Sequence, residues 1–102
     1  MPSLSENSVV ARNPAFVHVE VDGEVVAMDP TTGTCFGLDH VGARIWALID
    51  PPRSVDAICD TLVAEYDVDR ATCVAQVLDL FRDMHAEGVV EVRPHGADAS
   101  SP

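Results

Sequence analysis

Between Thr34 and Trp46 the sequence changes from a strand pattern to a helix pattern across a single residue. Thr34-Cys35-Phe36-Gly37-Leu38 carries β-branched and aromatic side chains after Gly33, which reads as a short strand. Asp39 follows, and its carboxylate is suited to accept a backbone N–H from the first turn of a helix. Val41, Ile45, Leu48 and Ile49 then recur at helical spacing, with Trp46 beside them. Asp50-Pro51-Pro52 stops that helix at about Ile49. A strand that turns within one residue into a short apolar helix cannot stand alone, so the rest of the chain must cover it.

The flanking segments supply that cover. Upstream, Phe16-Val17-His18-Val19-Glu20-Val21 and Glu24-Val25-Val26-Ala27-Met28 are two β-rich runs joined by Asp22-Gly23. Asp-Gly between such runs predicts a hairpin, because a type I′ turn needs positive φ at both positions. The looser link Asp29 to Gly33 leads into the strand at Thr34, which completes a three-stranded antiparallel meander. Downstream, Ser54 caps a second helix with Asp56 in its first turn. Val55, Ile58, Cys59, Leu62, Val63 and Tyr66 form its apolar stripe. Asp69 caps a third helix that runs to about Glu87, Gly88 is a natural stop, and Val89 to Val92 reads as a final strand. The expected fold class is α+β: a meander, three helices and a short closing strand. The chain divides into a flexible N-terminal tail at 1–13, a single domain at 14–93 and a flexible C-terminal tail at 94–102. Neither tail has the apolar area to offset the entropy of ordering, so both are expected to be dispensable for folding.

Charge narrows the classes of partner. The 102 residues include six arginines, no lysine and 17 acidic residues, for a net charge of −11. Such a field repels nucleic acid and anionic membrane and attracts basic partners, a lysine-bearing peptide among them. It also serves solubility. There is no apolar run near the ~20 residues that span a bilayer. Met1 to Ser8 lacks the basic and apolar regions of a signal peptide, so the expected location is the cytoplasm. Three cysteines, an odd number, fit reduced thiols there.

Candidate chemistry is sparse. His18, His40, His85 and His95 are scattered, and Cys35, Cys59 and Cys73 lie too far apart for a short-spaced metal set. Cys59 and Cys73 fall on apolar helical faces and read as small core residues, whereas Cys35 lies on the strand and is a candidate for exposure. No nucleophile can be matched to a base, and no pair of carboxylates is placed as a dyad. Thr32-Gly33-Thr34 is not followed by the Gly-Lys-Ser/Thr of a phosphate loop. The chain reads as a binding module rather than an enzyme, with neither cofactor nor metal expected.

The third helix has more apolar surface than seating requires. Cys73, Val74, Val77, Leu78, Leu80, Phe81 and Met84 cover about half its circumference, where a stripe of ~100° is enough. Either the helix is deeply buried, or one flank faces the core and the other lines a groove. The pattern leaves open whether the groove flank is Cys73/Leu80/Met84 or Val74/Leu78/His85.

The order Phe36-x-Leu38-Asp39, Gly42, Ile45-Trp46 resembles the motif of the PqqD-like peptide-binding modules of ribosomal-peptide modification pathways. Asp39 stands where Asn is more usual, and both residues cap. The resemblance extends from about Pro14 to Arg93, through Pro51 to Val55, Tyr66-Asp67-Val68-Asp69 and Gly88-Val89-Val90. It implies a winged-helix-like fold that binds the leader of a precursor peptide as an added strand. The implied site is Thr34, Cys35, Phe36, Gly37 and Leu38 with the third helix around Val74, Val77, Leu78 and Phe81, and Arg82 and His85 at its margin. A stand-alone module of this size is similar to the recognition half of the split B protein of lasso-peptide biosynthesis. That likeness implies a leader with a Tyr-x-x-Pro element and lysines, and a leader peptidase and a cyclase as further partners. Two alternatives are a PqqD-type chaperone for a radical enzyme in quinone cofactor biosynthesis and a winged-helix DNA-binding regulator. The second fits poorly, because Arg70 and Arg82 of the third helix stand against Asp79, Asp83 and Glu87.

Overall fold

In the computed structural model, which describes residues 4–93, the chain runs β1 (Val9–Arg12), β2 (Val17–Val21), β3 (Glu24–Met28), β4 (Cys35–Leu38), α1 (His40–Leu48), β5 (Arg53–Ser54), α2 (Val55–Glu65), α3 (Arg70–Ala86) and β6 (Val90–Arg93). The strands form two antiparallel sheets, ordered β2-β3-β4 and β5-β1-β6. The α+β order read from the sequence holds, with β1 and β5 added to it.

The meander is set by its turns. Asp22 and Gly23 take φ of 54° and 82°, the positive pair that a two-residue hairpin needs. Gly23 is favoured for a second reason: a Cβ there would come within 2.7 Å of His40 Cδ2, where the start of α1 meets the hairpin, and the imidazole would have to move aside. β3 pairs with β4 in the register Val25 to Leu38 and Ala27 to Phe36. Val25, Ala27 and Leu38 are buried and face α1, whose Ile45 and Trp46 complete the layer.

All three helix caps fall where the sequence places them. The side chains of Asp39, Ser54 and Asp69 accept the backbone N–H of Gly42, Ala57 and Thr72 at 2.8, 3.1 and 3.1 Å. At the end of α3, Gly88 has φ of 78°, its N–H donates to His85 O and that of Val89 donates to Met84 O, a Schellman closure. Gly42 is close-packed: a Cβ would lie 3.2 Å from Leu38 Cβ, a tight contact that glycine avoids where α1 begins directly against β4.

The N-terminal expectation is corrected. Residues 1–13 are not all tail, because β1 is the central strand of the second sheet, between β5 and β6. Val10 is fully buried and Ala11 nearly so. Arg12 donates to Trp46 O from Nε and Nη2 at 3.0 and 2.8 Å and lies over the indole 4.6 Å from its centroid. Backbone carbonyls of Glu6 and Ser8 accept the N–H of Asp56 and Val55, so the segment also holds the start of α2. Four residues are too few to show a period, and both partner strands are remote in sequence. The C-terminal tail, 94–102, lies outside the described residues.

Candidate functional site

β2 and β3 are joined by a two-residue turn, so Val21 and Glu24 are a hydrogen-bonded pair and the pairing alternates from there. Val25 and Ala27 therefore point their backbone groups toward β4, where they meet Leu38 and Phe36. The N–H and C=O groups of Cys35 and Gly37 point the other way, along an edge with no strand partner among the described residues. An unpaired edge of this kind is a template for an extended peptide. Nothing stands within 4 Å of where a Cβ on Gly37 would be, so the sheet face beside that edge is open at this position.

A groove of about 600 Å³ opens beside that edge. Gly37, Leu38 and Asp39 form its strand side, and Val41, Gly42 and Ile45 of α1 form its base. Leu62 and Tyr66 at the end of α2 and Val68 in the following link close one end. Cys73, Gln76, Val77 and Leu80 of α3 make the opposite wall. The lining is mostly apolar, with Asp39, Tyr66 and Gln76 as polar points, the composition expected of a site that buries side chains and orients them with few polar groups. Asp39 is already used as a cap and brings its charge to the groove's mouth.

Arg44 of α1 and Glu65 of α2 tie the two helices next to Tyr66, with Nε to Oε1 at 2.9 Å. Their hydrogen bond raises the Arg44 guanidinium and holds the Glu65 carboxyl below the usual carboxylate range. On the other side Arg70 of α3 binds Asp60 and Asp56 of α2, and the hydrogen bond to Asp60 is the main cause of its raised pKa. Both links are exposed ion pairs that join helices walling the groove.

The site expected from sequence is brought together in part. Gly37 and Leu38 line the groove, Cys35 lies on the outer side of the same strand, Phe36 packs half-buried against the core, and Thr34 precedes β4 in the link. On α3, Val77 lines the groove, whereas Phe81 is wholly buried beneath it. Val74 and Leu78 are half-buried against the core and do not reach the groove lining. Arg82 is exposed and paired with Asp79 at 2.9 Å, and His85 is exposed in the last turn. Of the two flanks left open, the groove takes Cys73 and Leu80, while Met84 is sealed in the core. The sequence reading did not place Asp39, Val41, Gly42, Ile45, Leu62, Tyr66, Val68 or Gln76 at the site. Val41, four residues before Ile45, and Tyr66, the last apolar position of the α2 stripe, were visible as members of periodic sets, but not as members that leave the core.

Burial pushes the Cys59 thiol up to about 12, and neighbouring Cys73 adds to the rise, so Cys59 stays a protonated core residue at neutral pH. Among the described residues no group of three His, Cys, Asp or Glu side chains could hold a metal ion, and no helix is long and apolar enough to cross a membrane.

The arrangement defines a class: a small α+β module with an apolar groove along a free strand edge. A family model for coenzyme PQQ synthesis protein D (PqqD) matches residues 24–90. The chain belongs to this family. It is similar to the solved structure described as TbiB1 in complex with the TbiA(beta) leader peptide, with a TM-score of 0.74 and 38% identity over 79% of this chain and 94% of that one. By family and by that likeness it is a PqqD-like RiPP recognition element. It is also 40% identical over 50 residues to a PqqA binding protein of Rhodopseudomonas palustris (strain HaA2). That match spans about half of each chain, 49% of both.

Proposed function

We propose that this protein binds the leader of a ribosomally made precursor peptide by strand addition at β4 and presents it to a processing enzyme. The observation that carries this reading is the free edge at Cys35 and Gly37 bordering the apolar groove. Backbone pairing at such an edge gives affinity, and pockets for alternate side chains give specificity. The likeness to TbiB1, solved with a leader peptide, supports the same mode. A leader carrying Tyr-x-x-Pro would place ring and proline against Val41, Val77 and Leu80, and its lysines would meet the acidic surface. Delivery to a leader peptidase and a cyclase in lasso-peptide maturation, in the cytoplasm, is the favoured setting.

The second reading is a chaperone of the PqqD type, which hands its peptide to a radical enzyme; the likeness to a PqqA binding protein favours it. Both readings share the site and differ in the enzyme. Fluorescence polarisation of a labelled synthetic leader from a neighbouring precursor frame tests the site. Gly37→Pro removes an edge N–H, and Val41→Asp and Leu80→Asp put charge in the groove; each variant, folded by circular dichroism, is expected to weaken binding by about tenfold or more. Parental affinity in folded Gly37→Pro rules out strand addition at this edge.

A further inference from the structure

The groove beside β4 carries one charge. Asp39 is the sole acidic or basic residue that lines it among the described residues, and its other polar members are Tyr66 and Gln76. Oδ1 of Asp39 accepts the Gly42 N–H at 2.8 Å, and Oδ2 has no hydrogen bond or ion pair among the described residues. The arginines of α1 and α3 are engaged elsewhere: Arg44 with Glu65, Arg70 with Asp56 and Asp60, and Arg82 with Asp79. The main chain also changes at this residue. Asp39 is extended, with φ of −74° and ψ of −172°, and so continues the line of β4. Its carbonyl, however, accepts the Ala43 N–H at 2.7 Å and is lost to an added strand. The last carbonyl on the free edge is that of Gly37, and beyond it the edge presents a carboxylate.

We infer that Asp39 is a specificity-determining residue: it selects a peptide with a lysine or arginine opposite it and rejects an acidic residue there. The inference rests on the proposed leader binding at β4. In antiparallel addition, the leader residue opposite Gly37 exchanges both backbone bonds with it. The residue before that one falls opposite Leu38 and shares the groove face with it. The next residue back falls opposite Asp39, where the backbone ladder has ended and a side chain must make the contact.

The chemistry of that contact follows from what Asp39 lacks. An ionised carboxylate only accepts hydrogen bonds, and a bound peptide takes water away from it, so a donor with a positive charge is the matching group. Lysine and arginine also bring a methylene stem that can lie on apolar lining such as the exposed Val41 of the first turn of α1. An aspartate or glutamate at the same place sets like charges directly opposite each other, which destabilises the pairing. The net charge of −11 adds to the rejection, but it acts on every leader position alike, whereas Asp39 acts at one.

Asp39→Asn tests the selection, because Asn caps a helix as well as Asp does and removes only the charge. If that variant does not fold, Asp39→Ser, another uncharged cap, replaces it. The probe is the labelled synthetic leader of the neighbouring precursor frame, with each lysine and arginine replaced in turn by Gln and by Glu. Scanning every basic position finds the contact without assuming the register. At low salt, one position is expected to lower affinity for the parent about threefold or more as Gln and about tenfold or more as Glu. Asp39→Asn should bind all three forms of that position within about twofold of one another. Asp83→Asn removes the same charge from an exposed α3 position off the groove and should keep the parent's pattern. Equal sensitivity of the parent and folded Asp39→Asn at every position overturns the inference, as does a leader that binds and has no basic residue. Loss of the pattern in Asp83→Asn as well would assign the effect to net charge and overturn it too. Failure of the reading beneath has a different signature: the leader does not bind the parent, or it binds Gly37→Pro with parental affinity.

Discussion

Trp46 is where the two sheets meet. Its ring is 2% exposed, the Arg12 guanidinium of β1 lies over it, and His18 of β2 meets its edge at a centroid distance of 5.8 Å. Trp46 Nε1 is buried without a hydrogen-bond partner among the described residues, and packing and the cation above it hold the side chain. Trp46→Ala should cost about 3–5 kcal/mol, a large part of a small domain's stability. Trp46→Phe should cost less, because it keeps a ring and removes the unpaired donor. Thermal melts of both variants check the order; equal melting temperatures for Trp46→Ala and the parent would contradict the burial described. Gly23→Ala should lose about 1–3 kcal/mol, since alanine resists the positive φ and its methyl meets His40.

Among the elements, β1 has the largest consequence for its length. As a central strand it hydrogen-bonds on both sides, to β5 through Val9 and Val10 and to β6 along all four residues. Deleting residues 1–12 should therefore unfold the domain, whereas deleting 95–102 should leave the melting temperature nearly unchanged. Val10→Asp should cost about 3–5 kcal/mol by burying an unpaired charge. Circular dichroism melts decide these cases, and a stable domain lacking residues 1–12 would mean that β5 and β6 can close without β1. The link between α1 and α2 has a pH signature. Glu65 has its folded pKa lowered, so its contribution is fully present above the ordinary carboxylate value of about 4.3 and is lost as pH falls through the folded value. Glu65→Gln should flatten that acid limb in melts at low salt. The effect should shrink at high salt, because the pair is exposed.

For the whole molecule, the charge of −11 should make capture of a lysine-bearing leader salt-dependent, with affinity falling a few-fold as ionic strength rises past about 0.15 M. A titration of the labelled leader in increasing sodium chloride measures it, and a flat response would leave backbone pairing at β4 and the groove's apolar contacts as the sources of affinity. Much of the architecture was legible from residue order. Asp-Gly at 22–23 specified the hairpin, Asp39, Ser54 and Asp69 specified three helix starts, and Gly88 specified a stop, because each acts through backbone groups a few residues away. The β4 edge was legible too, as the last strand of a meander. Three features were not. β1 is held by strands more than 40 residues further along the chain. The alternation of β2 gives two faces but not which one turns toward α1, and pairing with β3 sets the valines on the outer face and His18 edge-on to Trp46, with all of β2 left exposed. The broad apolar arc of α3 fits a groove on either flank, and the packing of α3 on α2 and the core places Cys73 and Leu80 on it while sealing Met84 and Phe81. The sequence by itself determined the kinds of element and their ends, which depend on local hydrogen bonding and periodicity. Only the tertiary structure decided which face of each element is covered, because that depends on contacts between segments whose separation along the chain leaves no periodic trace.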